Sequence, residues 1–222
     1  GKLPVTGLLT GMSFVLILAF SIPLGIFTAR HAGGRLDRAM TAVNQALMAI
    51  PAFVTGILLT YVFGLVLRWF VPGNYVSPGD NFGASLWYFL FPAVSIALPR
   101  VAMTVKMLRS SILSELQKDY VRTSHSRGNS DRSTLYRHVL RNAMGPVVSF
   151  LAMTVADIVA GSVVIEQVFS LPGLGRMLLT SIANRDYPVV QAVVVIVAFW
   201  VVLVNLLADL INQRLDPRLR LT

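Results

Sequence analysis

The chain has 222 residues, 55% of them hydrophobic, 13% charged and none cysteine, which excludes a disulfide framework and any Cys-ligated metal or redox site. A formal net charge of +9 would suggest nucleic acid for a wetted surface, but a mean hydropathy of +0.69 says that much of this surface is not wet.

Uncharged stretches run over 3–29, 39–67, 81–99, 142–165 with only Asp157 interrupting, and 187–208. Each is long enough to cross a hydrocarbon core of ~30 Å, which takes about 20 helical residues. The spans must be helices, because lipid offers the backbone no hydrogen-bond partner and the period-2 alternation of a barrel strand is missing. Five spans are therefore expected, at about 5–29, 39–67, 86–107, 142–165 and 187–210, in a single all-α transmembrane domain over 1–222. The first is too long for the core of a secretory signal and reads as an anchor. Pro23, Pro51 and Pro92 can kink their spans. Gly7 with Gly11, and Ala156 with Ala160 and Gly161, offer small-residue packing faces, within the chain or toward a second subunit.

Lysine and arginine crowd the first and third connections and the tail. Arg30, Arg35 and Arg38 lie in one, eight residues from Lys106 to Arg141 in another, and Arg214, Arg218 and Arg220 in the last. The positive-inside rule places these on the cytoplasmic side, C-terminus included. With five spans the first residue is then outside, and the expectation is a parent with one further span, six in all.

Between Ser110 and Arg141 the pattern changes. Ile112, Leu113, Leu116 and Tyr120 form one apolar stripe, expected to make a helix lying flat or dipping into a partner. Gly128 followed by Asn129, Ser130 and Asp131 is a stop-turn-start signal: a left-handed glycine, a capping side chain from Asn129 or Ser130, and an acidic first turn. A second short helix with Leu135, Tyr136, Val139 and Leu140 leads back to the membrane.

The stretch "DYVRTSHSRGNSDRSTLYRHVLRNAMGPVV" resembles the EAA loop of ABC-importer permeases, in the variant of the dipeptide/oligopeptide/nickel group of inner-membrane subunits. "SIPLGI", "EQVFSLPGLGR", "NRDYPVVQ" and "LDPRLR" are similar to the same family, in the expected order and over nearly the whole chain. Here Arg122, Thr123 and Ser124 replace Glu-Ala-Ala, and Gly128 stands at the family glycine. The resemblance implies a type I importer permease fold, with the loop 110–141 as a coupling helix pair docked on a cytoplasmic ATPase through Asp119, Tyr120, Arg122, Thr123, Ser124, Arg127, Gly128 and Asn129. It implies a second homologous permease subunit, two ABC ATPase subunits or domains, and an extracytoplasmic solute-binding protein, in the bacterial inner membrane. ATP and magnesium would belong to the ATPase, with no cofactor on this chain. Cargo in the group includes dipeptides, oligopeptides, glutathione and nickel chelates. On charge alone, the basic loop equally suits topology and anionic lipid.

Arg100 and Asp157 are the charges inside spans, each nine residues from a span end and so roughly 13 Å deep. Similar heights allow them to pair. The functional reading puts both at the translocation path, with Asp157 meeting a cationic part of the cargo; the structural one makes them an ion pair, or lets Arg100 snorkel. The segment 166–188 breaks at Pro172, Gly173 and Gly175 and then shows helical spacing, as a short helix on the outer face would. By resemblance it closes an outer gate and receives the binding protein through Glu166, Pro172, Gly173, Arg185 and Asp186. The alternative is an interfacial helix that anchors the spans.

No phosphate-binding loop occurs, so the familiar ATPase chemistry must come from a partner. His31, His125 and His138 form no zinc motif, and no serine-nucleophile elbow appears, so the chain reads as a transport subunit and not an enzyme. A secondary transporter, or a non-transporting membrane scaffold with a basic patch, is the alternative. Uptake driven by an ion gradient marks the former, and the absence of an ATPase partner marks the latter.

Overall fold

The computed structural model describes residues 2–215. The chain is helical nearly throughout, with no strand among the described residues. Its elements are α1 (Leu3–Arg30), α2 (Arg35–Ala49), α3 (Ala52–Leu59), α4 (Phe82–Leu116), α5 (Asp119–Ser126), α6 (Asp131–Thr134), α7 (Leu140–Val168), α8 (Leu174–Ala183) and α9 (Tyr187–Leu215). A π-helical turn over Thr60–Val66 extends α3, and another over Leu135–Val139 joins α6 to α7. The all-α bundle expected from the apolar runs is the fold that forms. Arg218, Arg220 and most of "LDPRLR" lie outside the described residues, as does the side chain of Arg214.

Among the described residues four rods are long and apolar enough to cross a membrane: α1, α4, α6 through α7, and α9. The second expected span, 39–67, is not one rod. Its chain bends by 93° between α2 and α3, and only the bent pair taken together would make a fifth crossing. Pro51 causes the break, because it has no N–H for the α2 ladder and holds the preceding Ile50 extended, at φ −89° and ψ 120°. Pro23, Pro92, Pro99 and Pro146 sit inside continuous helices.

Helix α4 is the axis of the bundle, with α1, α2, α3 and α7 packed around it. Phe89, Ile96, Val105, Leu108 and Ile112 on α4 meet Leu9 and Ile17 of α1 and Val147, Ile158 and Ile165 of α7 in one core. The "SIPLGI" stretch is a packing device. A Cβ at Gly25 would come within 2.7 Å of Leu108 Cδ2, so glycine lets α1 seat directly on α4. Helix α9 packs mainly on α7 and α8 and, among the described residues, stays largely exposed.

With 35 residues α4 is roughly 50 Å long, about 20 Å more than a hydrocarbon core. The separate amphipathic helix expected from Ser110 onward does not exist: Ser110–Leu116 continues α4, and Ile112 is buried against the bundle. Two contacts brace this extension. The Arg109 guanidinium donates from Nε and Nη2 to both Asp37 oxygens at 2.7 Å, and Ser111 donates to the Ala143 carbonyl at 2.8 Å. Gly33 N–H completes the Asp37 site.

Candidate coupling, path and gate sites

The end of the bundle carrying α5 is an elbow built from local hydrogen bonds. Arg127 ends α5, Gly128 takes φ +80°, its N–H bonds the His125 carbonyl, and Asn129 N–H bonds the Ser124 carbonyl. This is a Schellman ending, which a residue with a Cβ enters only at a cost. Ser130 then caps α6 by accepting from Ser133 N–H, with Asp131 in the first turn. Of the two caps open in the sequence, Ser130 is the one used. Inside the corner, Ser124 and Thr134 hydroxyls bond at 2.9 Å and Asn129 Nδ2 donates to Ser124 Oγ at 3.2 Å.

The eight residues expected to couple to an ATPase therefore divide in two. Asp119, Arg122, Thr123, Arg127 and Gly128 are exposed and free to meet a partner surface. Ser124 is buried and Asn129 half-buried, so both hold the corner shut from within. Tyr120 is half-buried and donates to Glu115 at 2.8 Å, tying α5 to the end of α4. Burial raises its phenol above the ordinary value, and Glu115 adds to this against a hydrogen bond with Asn142, so it remains a donor at neutral pH. Val121 seats α5 against the core.

In the middle of the bundle Arg100 and Asp157 do come together, but not as an ion pair. Arg100 Nη2 donates to the Asp157 backbone carbonyl at 2.9 Å, Nη1 reaches the Ile96 carbonyl at 3.4 Å, and Nε is enclosed without a partner among the described residues. The Asp157 side chain lies on the exposed face of α7, without a salt bridge among the described residues.

At the opposite end Glu166 is fully buried, which leaves it no surface for a partner protein. Its carboxylate accepts the Thr6 hydroxyl at 2.6 Å and the Arg176 N–H at 3.0 Å, while Thr6 Oγ1 accepts the Leu174 N–H at 2.8 Å. An acid in this position meets the unpaired amides and the positive end of the dipole of α8. The spacing in "EQVFSLPGLGR" follows. A Cβ at Gly173 would collide with the Glu166 carboxylate, and one at Gly175 with the backbone of Val163. Pro172 and Gly173 line a shallow depression of about 280 Å³ together with Arg176 and Met177. Arg185 and Asp186 are exposed in the turn after α8. Arg185 adopts φ 57°, and Asp186 caps α9 by accepting from Val189 N–H at 3.3 Å.

Sequence reasoning missed Thr6, Asp37 and Thr134. Each is a short polar side chain without a motif, whose partner lies on another element. An acid amid basic residues, as Asp37 is between Arg35 and Arg38, was the one available signal.

The profile of the family described as binding-protein-dependent transport system inner membrane component matches residues 21–221. A probable peptide ABC transporter permease protein of Sinorhizobium fredii is 34% identical over 99% of this chain and 70% of its own length. The oligopeptide transport system permease protein AppB of Bacillus subtilis is 36% identical over 98% and 70%. The nickel import system permease protein NikB of Staphylococcus aureus is 33% identical over 98% and 63%. Among solved structures, an inward-facing conformation of the MetNI methionine ABC transporter superposes with a TM-score of 0.76, covering 97% of this chain and 94% of its own at 16% identity. That likeness concerns the fold.

Proposed function

The chain belongs to the binding-protein-dependent transport system inner membrane component family, a multi-pass permease subunit of ABC importers, and from that premise we propose that it carries di- or oligopeptides. A solute-binding protein hands the cargo to the end bearing α8, and cytoplasmic ATPase subunits drive the elbow end. In this reading a second, homologous permease subunit completes the path, two ATPase subunits or domains supply ATP chemistry with their own magnesium, and the C-terminus is cytoplasmic. The nickel permease among the relatives supports a second cargo, nickel chelates, carried by the same machinery.

The observation that carries the coupling role is the elbow's build. Exposed Arg122, Thr123 and Arg127 surround a corner closed by Ser124, Asn129 and Thr134. Such a corner passes force on without bending; Tyr120 ties it to Glu115 near the end of the 35-residue α4, which Arg109 in turn fixes to α2 through Asp37. Arginine forks suit an acidic groove on the ATPase. Asp157 and Arg100 would stand at the path. Arg185 and Asp186 would meet the binding protein, and Glu166 would hold the gate helix α8 from beneath.

The test is a crosslink. Cysteines introduced at Arg122 and Arg127 of this cysteine-free chain should capture the ATPase subunit in membranes, and the capture should change on adding ATP. Crosslinks to lipid alone, with ATP-driven uptake intact, would refute the docking role.

A further inference from the structure

Helix α7 carries an exposed stripe of Ser149, Met153, Asp157, Ala160, Val164 and Gln167, spaced by three or four residues and so on one face. It is not built for lipid. Helix α9, also exposed, is entirely apolar from Ala192 to Val204, whereas the α7 stripe has a carboxylate at its middle and polar groups toward both ends. An intramembrane charge is costly against hydrocarbon and faces a bundle interior or water.

The neighbouring arginine does not remove the need for a partner. Its guanidinium is directed to the carbonyls of Asp157 and Ile96 and its Nε is enclosed between α4 and α7, while the carboxylate stays on the open face. Arg100 thus holds the α7 backbone, and its charge acts on the Asp157 carboxylate only at longer range, with no salt bridge closing between them among the described residues.

We propose that Asp157 is a cation-recognising group of the translocation path, receiving the ammonium or guanidinium of the cargo as it passes the α7 stripe. The proposal rests on the permease reading and adds the chemical class that this site selects. Cargo with a protonated amine or a basic side chain is favoured over cargo whose charge there is negative.

The test uses the assembled importer in membrane vesicles, with cysteine at Met153, one turn and about 6 Å along the helix from Asp157. Met153 is 65% exposed. The probes are two methanethiosulfonate reagents, one bearing a trimethylammonium group and one a sulfonate. The cationic reagent should react faster by roughly fivefold or more, as expected for a carboxylate one turn away in a partly dehydrated path. D157N should bring the two rates together, and D157E should restore the preference. A preference that persists in D157N overturns the proposal. So does failure of M153C to react with either reagent while a control cysteine at exposed Asn184 reacts, because the face is then covered by lipid or another subunit.

A second measurement separates this proposal from the reading beneath it. The ratio of ATP-driven uptake of a lysine-bearing to a glutamate-bearing peptide of equal length should fall about fivefold in D157N. An unchanged ratio with uptake intact overturns the cation role alone. Absence of ATP-driven uptake in the unaltered importer overturns the permease reading itself.

Discussion

Glu166 is a charge whose surroundings were arranged for it. Fully buried, it would be prohibitive alone, but Thr6 and the first amides of α8 donate to it, and Gly173 leaves the space in which it lies. Gly173→Ala is therefore a steric probe of the same site as Glu166→Gln. The glutamine keeps the volume but sets an NH₂ against N–H or O–H donors, leaving buried donors unsatisfied at about 1–3 kcal/mol. Both variants should lower the unfolding temperature of the purified importer and loosen α8, read as faster hydrogen exchange over 174–183. If exchange there is unchanged in both, Glu166 does not hold α8.

Among the elements, the α5–α6 corner combines two helix-ending devices, the left-handed Gly128 and the Ser130 cap, with a hydroxyl pair between the two short helices. Neither helix is long enough to persist by propensity, so the corner depends on these fixings and on Val121 and Leu135 in the core. Gly128→Ala should cost about 1–2 kcal/mol of local stability, because a Cβ is disfavoured at φ +80°. The space around Gly128 is open, so the cost is conformational and not steric. The expected result is an importer that assembles but transports less cargo per ATP hydrolysed. An unchanged ratio would mean that the corner's stiffness does not matter for coupling. Asn184 and Arg185 end α8 in the same Schellman pattern, with Arg185 where glycine would be unstrained.

Across the molecule, α4 runs from the end bearing α8, where the Tyr88 hydroxyl donates to the Phe169 carbonyl at 2.7 Å, to the elbow end, where Arg109 grips Asp37. At the elbow end Arg109–Asp37 ties α4 to α2, and Ser111 with the Ala143 carbonyl ties it to α7. Asp37 is only 4% exposed and its pair is bidentate, so removing Arg109 leaves a largely buried carboxylate behind, and removing Asp37 leaves a partly exposed guanidinium. Asp37→Ala or Arg109→Ala should each cost roughly 1–3 kcal/mol, below the 3–5 of a fully buried pair because Arg109 reaches solvent. The double variant should cost less than the sum, and Arg109→Lys should fall between, lacking the fork. Thermal unfolding of the detergent-solubilised complex measures the cycle. Strict additivity would show that the pair does not couple α2 to α4.

The sequence by itself determined what lipid and backbone chemistry demand. Apolar runs of span length must be helices, and a glycine followed by Asn, Ser and Asp must turn. These are local constraints, legible because each is satisfied within a few residues. Tertiary structure decided what depends on distant partners. It bent 39–67 at Pro51, fused Ser110–Leu116 onto α4, withdrew Glu166 from the surface to hold α8, and gave Arg100 a carbonyl in place of the acid beside it. Thr6 and Glu166 lie 160 residues apart, and Asp37 and Arg109 72. Periodicity carries no record of such pairs, because they exist only once packing has set the helices against one another.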